Sequence, residues 1–117
     1  MVEQCAWAVD FYFDARDRSP VLEFINGLPK GEQGKLFRAL TLLQEFGPLL
    51  SMPHARPIEG KLWELRGGAG RIFYFAYTGR RFILLHGYLK RTQEAPKREI
   101  ETARRRMADF VEREGAR

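Results

Sequence analysis

The chain has 117 residues, 44% hydrophobic and 13% aromatic, one domain's length with enough apolar side chains for a core that needs no covalent staples. A single cysteine, Cys5, excludes an intramolecular disulfide and a cysteine-rich zinc cage; it reads as a semi-buried thiol. No run approaches the roughly 18 apolar residues of a membrane span, and MVEQCAW has neither the basic nor the apolar region of a leader, so the expected location is cytoplasmic.

The net charge of +5 is unevenly placed: residues 1–60 hold 6 Lys and Arg against 8 Asp and Glu, and residues 61–117 hold 14 against 7. A basic half of this kind suits nucleic acid or an acidic protein, with a merely solvated basic helix as the alternative.

Ala6 to Phe13 alternates, with Trp7, Val9, Phe11 and Phe13 at one parity and Asp10 at the other, which predicts a strand with one buried face. Ser19-Pro20 then supplies an N-cap and a proline at the first helical position, so VLEFINGL is a short helix ending near Gly27 and Pro29, with Phe24 and Leu28 on its inner side. From about Lys30 to Phe46, Leu36, Leu40 and Leu43, with Phe37 and Phe46 beside them, mark an amphipathic helix closed by Gly47-Pro48. The two helices together should form a hairpin over one face of a sheet. Pro48 to Lys61 has three prolines, Gly60 and no period, and is expected to be a long surface loop carrying His54 and Arg56. His54 is either a substrate contact or an ordinary solvated histidine.

Leu62 to Pro96 organises the rest. Runs rich in aromatic and branched residues at Leu62 to Arg66, Arg71 to Tyr77 and Phe82 to Leu89 are separated by Gly-Gly-Ala-Gly and Thr-Gly-Arg-Arg, the residues of tight hairpins. The reading is a three-stranded antiparallel meander. Phe73, Phe75 and Tyr77 oppose Ile72, Tyr74 and Ala76, while Phe82, Leu84, His86 and Tyr88 oppose Ile83, Leu85 and Leu89. Strands apolar at both parities are covered on both faces. Arg66, Arg71, Lys90 and Arg91 fall at strand ends, where an exposed cationic rim would meet a polyanion.

Pro96 opens a last helix with Ile100, Ala103, Met107 and Phe110 as its apolar stripe; Arg98, Glu101, Arg105 and Glu112 face water. Arg104, Arg105 and Arg106 form either a phosphate-binding patch or a solvated turn. The end, EREGAR, is expected to fray.

There is no P-loop, dinucleotide fingerprint, nucleophile elbow or zinc motif, so neither a cofactor nor a metal is expected. RNA cleavage without metal needs a base for the 2′-hydroxyl, an acid for the leaving 5′-oxygen and cations on the phosphate. Glu64 or His86 could serve as the base, and the acid is left open. Glu64 alternatively pairs with Arg66 or Arg71, and His86 alternatively is a hydrogen-bonded core residue. Trp63, Tyr74 and Tyr88 are either stacking surfaces for a base or core.

The order LWELR, RIFYF, FILLHGYLKRTQ-x-x-P and a helix with E-I-E-x-A-R-R-R resembles the RelE/ParE superfamily of toxins, in its phage-derived HigB-like branch. V-x-F-Y-x-D-A-R-x-R-S-P-V-x-E-F at Val9 to Phe24 and Leu-Leu-x-x-Phe-Gly-Pro at Leu42 to Pro48 extend the resemblance over nearly the whole chain. It implies an α+β fold, β-α-α-β-β-β-α, with an antiparallel sheet of about four strands. It also implies a toxin of a type II toxin-antitoxin system that cuts messenger RNA on the ribosome. The implied partner is a small antitoxin, helix-turn-helix and HigA-like, through which alone operator DNA is reached. By position the resemblance assigns catalysis to Arg71, Lys90 and Arg91, beside Glu64 or His86, while Arg66, Lys97, Arg104 and Arg105 are the further cations expected to contact RNA or the ribosome. Where RelE has two lysines on the first meander strand this chain has Leu62 and Glu64, and where RelE has a C-terminal tyrosine it has Lys97. These departures leave two alternatives open: a ParE-like toxin that binds a target such as gyrase without cutting, and a regulatory component that holds an antitoxin on its operator.

Overall fold

The computed structural model describes residues 7–91 and 95–115; Cys5 and the last two residues lie outside them. Strand β1 (Ala8–Phe11) is followed by α1 (Pro20–Asn26), α2 (Lys30–Phe46) and a 3₁₀ turn (Gly47–Leu49). Strands β2 (Ala55–Glu59), β3 (Leu62–Gly67), β4 (Gly70–Tyr77) and β5 (Arg81–Leu89) then precede α3 (Lys97–Gly115). The fold is α+β, with five strands in the order β1-β5-β4-β3-β2. The meander is antiparallel, and β1 lies parallel to β5, pairing Val9 with Phe82 and Phe11 with Leu84.

The sheet is therefore mixed, with a strand that the sequence does not announce. Part of the expected loop becomes β2, an edge strand in which Pro57 interrupts the alternation and the register shifts between Pro57 and Glu59. Proline is tolerated at an edge because it has no N–H for a further ladder. A five-residue strand broken in this way leaves no periodic signal.

The helices begin and end as their residues dictate. Ser19 Oγ accepts from the Leu22 N–H at 3.2 Å, and Pro20 opens α1. At the end of α2, Gly47 turns with φ +58, and a Cβ there would lie 2.8 Å from the Trp7 indole.

Two hydrophobic layers sandwich the sheet. On one face, Val21 and Ile25 of α1 and Leu36, Leu40 and Leu43 of α2 pack on Leu65, Ile72, Tyr74, Phe82 and Leu84. On the other, Ala103 and Phe110 of α3, flanked by Ile100 and Met107, pack on Leu62, Phe73, Phe75, Ile83 and Leu85. Leu36 is wholly buried, so truncating it to alanine should cost about 2–5 kcal/mol. The approach is close enough to require glycine: a Cβ at residue 87 would fall 2.3 Å from the Phe24 ring. Three expected core aromatics stay outside, Phe13, Phe37 and Phe46 being 44%, 45% and 49% exposed.

The alternation expected along β5 also changes hand midway. His86 pairs with Phe73, but Leu84 already pairs with Tyr74, so Leu85 is a surplus residue in a β-bulge. Beyond it His86 and Tyr88 join Ile83 and Leu85 on the α3 face, and Phe82 and Leu84 remain opposite. A one-residue bulge reverses parity for everything that follows it.

Candidate functional site

Strand register assembles a cluster on the α3 face, at the β3–β4 hairpin end. Arg56 lies opposite Glu64, Arg66 opposite Arg71, and Arg71 opposite Tyr88, and directly opposed residues share a face. Glu64 is completely buried. Arg56 Nε donates to its Oε1 at 3.0 Å, and the Tyr88 hydroxyl donates to Oε2 at 2.6 Å.

Arg71 does not project from a rim as expected. It is only 8% exposed, and its Nη1 folds back to donate to the carbonyls of Gly68 and Gly70 at 2.8 and 2.9 Å. Its buried Nε has no hydrogen-bond partner among the described residues. Lys90 follows the end of β5, its N–H donating to Ala69 O across the hairpin at 2.9 Å. Burial lowers the pKa of Arg71, repulsion from Arg66 adds to this, and Glu64 opposes it. The Lys90 ammonium is lowered by burial as well, with Glu64 opposing and Arg56, Arg71 and Arg66 repelling. Burial and the Glu64 carboxylate push the Tyr88 phenol upward. Among the described residues, Arg56, Arg66, Arg71 and Lys90 thus gather around the carboxylate of Glu64.

His86 lies in a different environment, under α3. Its Nδ1 is 3.0 Å from Arg106 Nη1, which also donates to Leu85 O, and its Nε2 meets Glu99 Oε1. Because a guanidinium can only donate, this network assigns the ring proton to Nε2 and the acceptor role to Nδ1. Burial lowers the histidine's pKa, with Glu99 opposing and Arg106 adding to the lowering. With both nitrogens engaged, the ring rivets β5 to α3.

The structure brings Glu64, Arg66, Arg71 and Lys90 together and places the other candidates elsewhere. Arg91 and Lys97 are exposed on either side of the join between β5 and α3. Arg66 is half-buried, with Nη1 3.4 Å from Met52 Sδ. Arg104 pairs with Glu59 at 3.2 Å, and both it and Arg105 line a groove at the opposite end of β4. His54 is exposed, and its carbonyl accepts from the Arg66 N–H. Trp63 is half-buried, whereas Tyr74 and Tyr88 are core residues. Arg56 is the member that sequence reasoning missed, because its strand was read as a loop. No group of three His, Cys, Asp or Glu side chains among the described residues is arranged to hold a metal ion.

The family model described as "Phage derived protein Gp49-like (DUF891)" matches residues 23–108. No curated protein matches the chain.

Proposed function

The chain belongs to the phage-derived Gp49-like family, a RelE-like family of toxins from toxin-antitoxin systems, and from that premise we propose that it inhibits translation by cutting messenger RNA on the ribosome. The observation that carries this reading is the surplus of positive charge at the hairpin end of the sheet. Among the described residues, Arg56, Arg66 and Arg71 gather on the carboxylate of Glu64 with Lys90 beside them, and burial and mutual repulsion weaken the hold of Arg71 and Lys90 on their protons. A phosphate would relieve that repulsion, and perturbed groups beside specific charge partners cluster at functional sites.

In this reading the RNA phosphate competes with Glu64 for Arg56, which frees the carboxylate. Glu64 takes the proton of the 2′-hydroxyl as the O2′–P bond forms. The P–O5′ bond breaks, and Lys90, whose lowered pKa makes its proton easier to give, protonates the leaving oxygen. The products are a 2′,3′-cyclic phosphate and a 5′-hydroxyl. Arg71 and Arg66 hold the charge that gathers on the phosphorane. Exposed Arg91, Lys97 and Arg105 contribute contacts to ribosomal RNA, and a HigA-like antitoxin is the neutralising partner.

A second reading, a toxin that binds a target such as gyrase without cutting, is favoured by one observation. Glu64 is sealed from solvent and both nitrogens of His86, under α3, are occupied, so neither candidate base stands open. Mapping of 5′ ends after brief induction separates the two. Cuts confined to translated regions are expected; intact messages with damaged DNA would select the second reading.

A further inference from the structure

The end of the sheet remote from the cation cluster carries an unfinished strand. Strand β4 runs to Tyr77, but its register with β3 stops at Tyr74 opposite Trp63, and among the described residues Phe75, Ala76 and Tyr77 pair with β5 alone. The chain that would continue β3 alongside them turns away at Gly60-Lys61 into β2. Ala76, the last residue but one of β4, is accordingly exposed after six buried ones.

A hollow opens on each face of the sheet beside this segment, and Lys61 and Ala76 line both. On the α3 face a groove of about 800 Å³ has Phe75, Tyr77, Met107 and Val111 on its walls. On the α2 face a hollow of about 300 Å³ is bounded by Pro48, Leu50, Trp63 and Phe82. The rim is basic: Lys61, Arg104 and Arg105 stand against Glu101, and Glu59 partly neutralises Arg104.

We propose that this notch receives an extended, apolar segment of the antitoxin, flanked by acidic residues, which adds to the free edge of β4 in line with β3. A strand's successive side chains point to opposite faces. One apolar residue would therefore enter the α3-side groove, and its neighbour would enter the hollow beside Trp63. Backbone hydrogen bonds to the edge supply affinity, the two hollows supply selectivity, and the flanking acids meet Lys61 and Arg105. A helix would fill only one hollow and leave the edge unpaired. The proposal rests on the reading of the chain as a toxin with an antitoxin partner, but it is tested on the isolated protein.

The probe is the blocked peptide acetyl-Glu-Glu-Leu-Val-Phe-Leu-Glu-Glu-amide, titrated into isotope-labelled protein and followed by amide and indole resonances. Saturable shifts at Ala76, Tyr77, Thr78 and the Trp63 indole are expected. N-methylation at alternate peptide residues, which removes donors and leaves the side chains, should weaken binding at least tenfold. The surface double variant K61E/R105E should weaken it by a similar factor. Absence of saturable shifts at these residues, or equal binding of the N-methylated peptide, would overturn strand addition. A chain that is harmless when expressed in cells would instead count against the toxin reading and leave this result intact.

Discussion

Two regions under the same sheet face handle charge in opposite ways. Beneath α3 the charges are matched: Asp109 accepts from Arg113 and from the Tyr12 hydroxyl, both at 2.6 Å, and His86 is bracketed by Glu99 and Arg106. These bonds lower the pKa of Asp109 and tie the helix to the strands. At the hairpin end, cations outnumber carboxylates among the described residues, and Arg56, Arg66 and Arg71 repel one another. Matched charge holds the fold together, whereas surplus charge is compensated only when something else arrives.

The sharpest way to break the comparison is to remove the carboxylate that the crowded region depends on. Glu64→Gln should destabilise the protein by about 3 kcal/mol, because it leaves Arg56 and Arg71 against each other in a dry site. Urea unfolding measures this, and an unchanged midpoint would mean that water already screens the cluster. Next in size is Arg71→Ala. Single-turnover cleavage on programmed ribosomes should fall ~10²-fold, as when an oxyanion donor is lost, while stability falls by about 1–2 kcal/mol for the two hydrogen bonds to the turn. Arg71→Lys should restore only part of the rate, since it keeps the charge but not the fork. Full activity in folded Arg71→Ala would remove that arginine from the reaction.

A smaller effect is expected from the matched region and appears as pH dependence. The folded protein holds the His86 pKa below its ordinary 6.5, so above that value the ring is neutral in both folded and unfolded chains. As pH falls from 6.5 through the lower folded value, the unfolded chain takes the proton first and stability drops. His86→Gln should melt earlier at neutral pH, show a flatter decline on acidification, and cleave at nearly the normal rate once folded. A folded but inactive His86→Gln would return the histidine to the chemistry. The smallest effect belongs to Arg104→Ala: its exposed pair with Glu59 is worth less than about 1 kcal/mol. If Arg104 serves only the remote groove, the salt dependence of ribosome binding should be unchanged, whereas Lys90→Ala should lower that slope by about one.

Much of the fold was legible because long elements carry redundant signals. The Leu36, Leu40 and Leu43 stripe, the Ser19 cap and the glycines of the hairpins each pointed to the element that forms. What escaped was local. The parity of His86 and Tyr88 turns on one surplus residue, Leu85, which no periodicity reveals. Phe37 looked like core because aromatic residues often are, but it lies on the outer side of α2. In the candidate site, Arg66, Arg71 and Lys90 could be named from strand ends, and Glu64 from its place on the first meander strand of the family resemblance. Their company could not, since the pairing of Arg56 with Glu64 depends on an edge strand interrupted by proline. The burial of Arg71 depends on a side chain curling onto its own turn, a choice made in three dimensions.

That turn is itself seated on α2. Cβ atoms at residues 67 and 70 would fall 2.9 Å from the Leu36 side chain, and the Ala69 N–H donates to Glu32 Oε1 at 3.3 Å. The carbonyls that position Arg71 are therefore set from the far side of the sheet. A random-mutagenesis screen for survivors of the toxin should accordingly recover changes at Glu32 and Leu36, two residues outside the cation cluster.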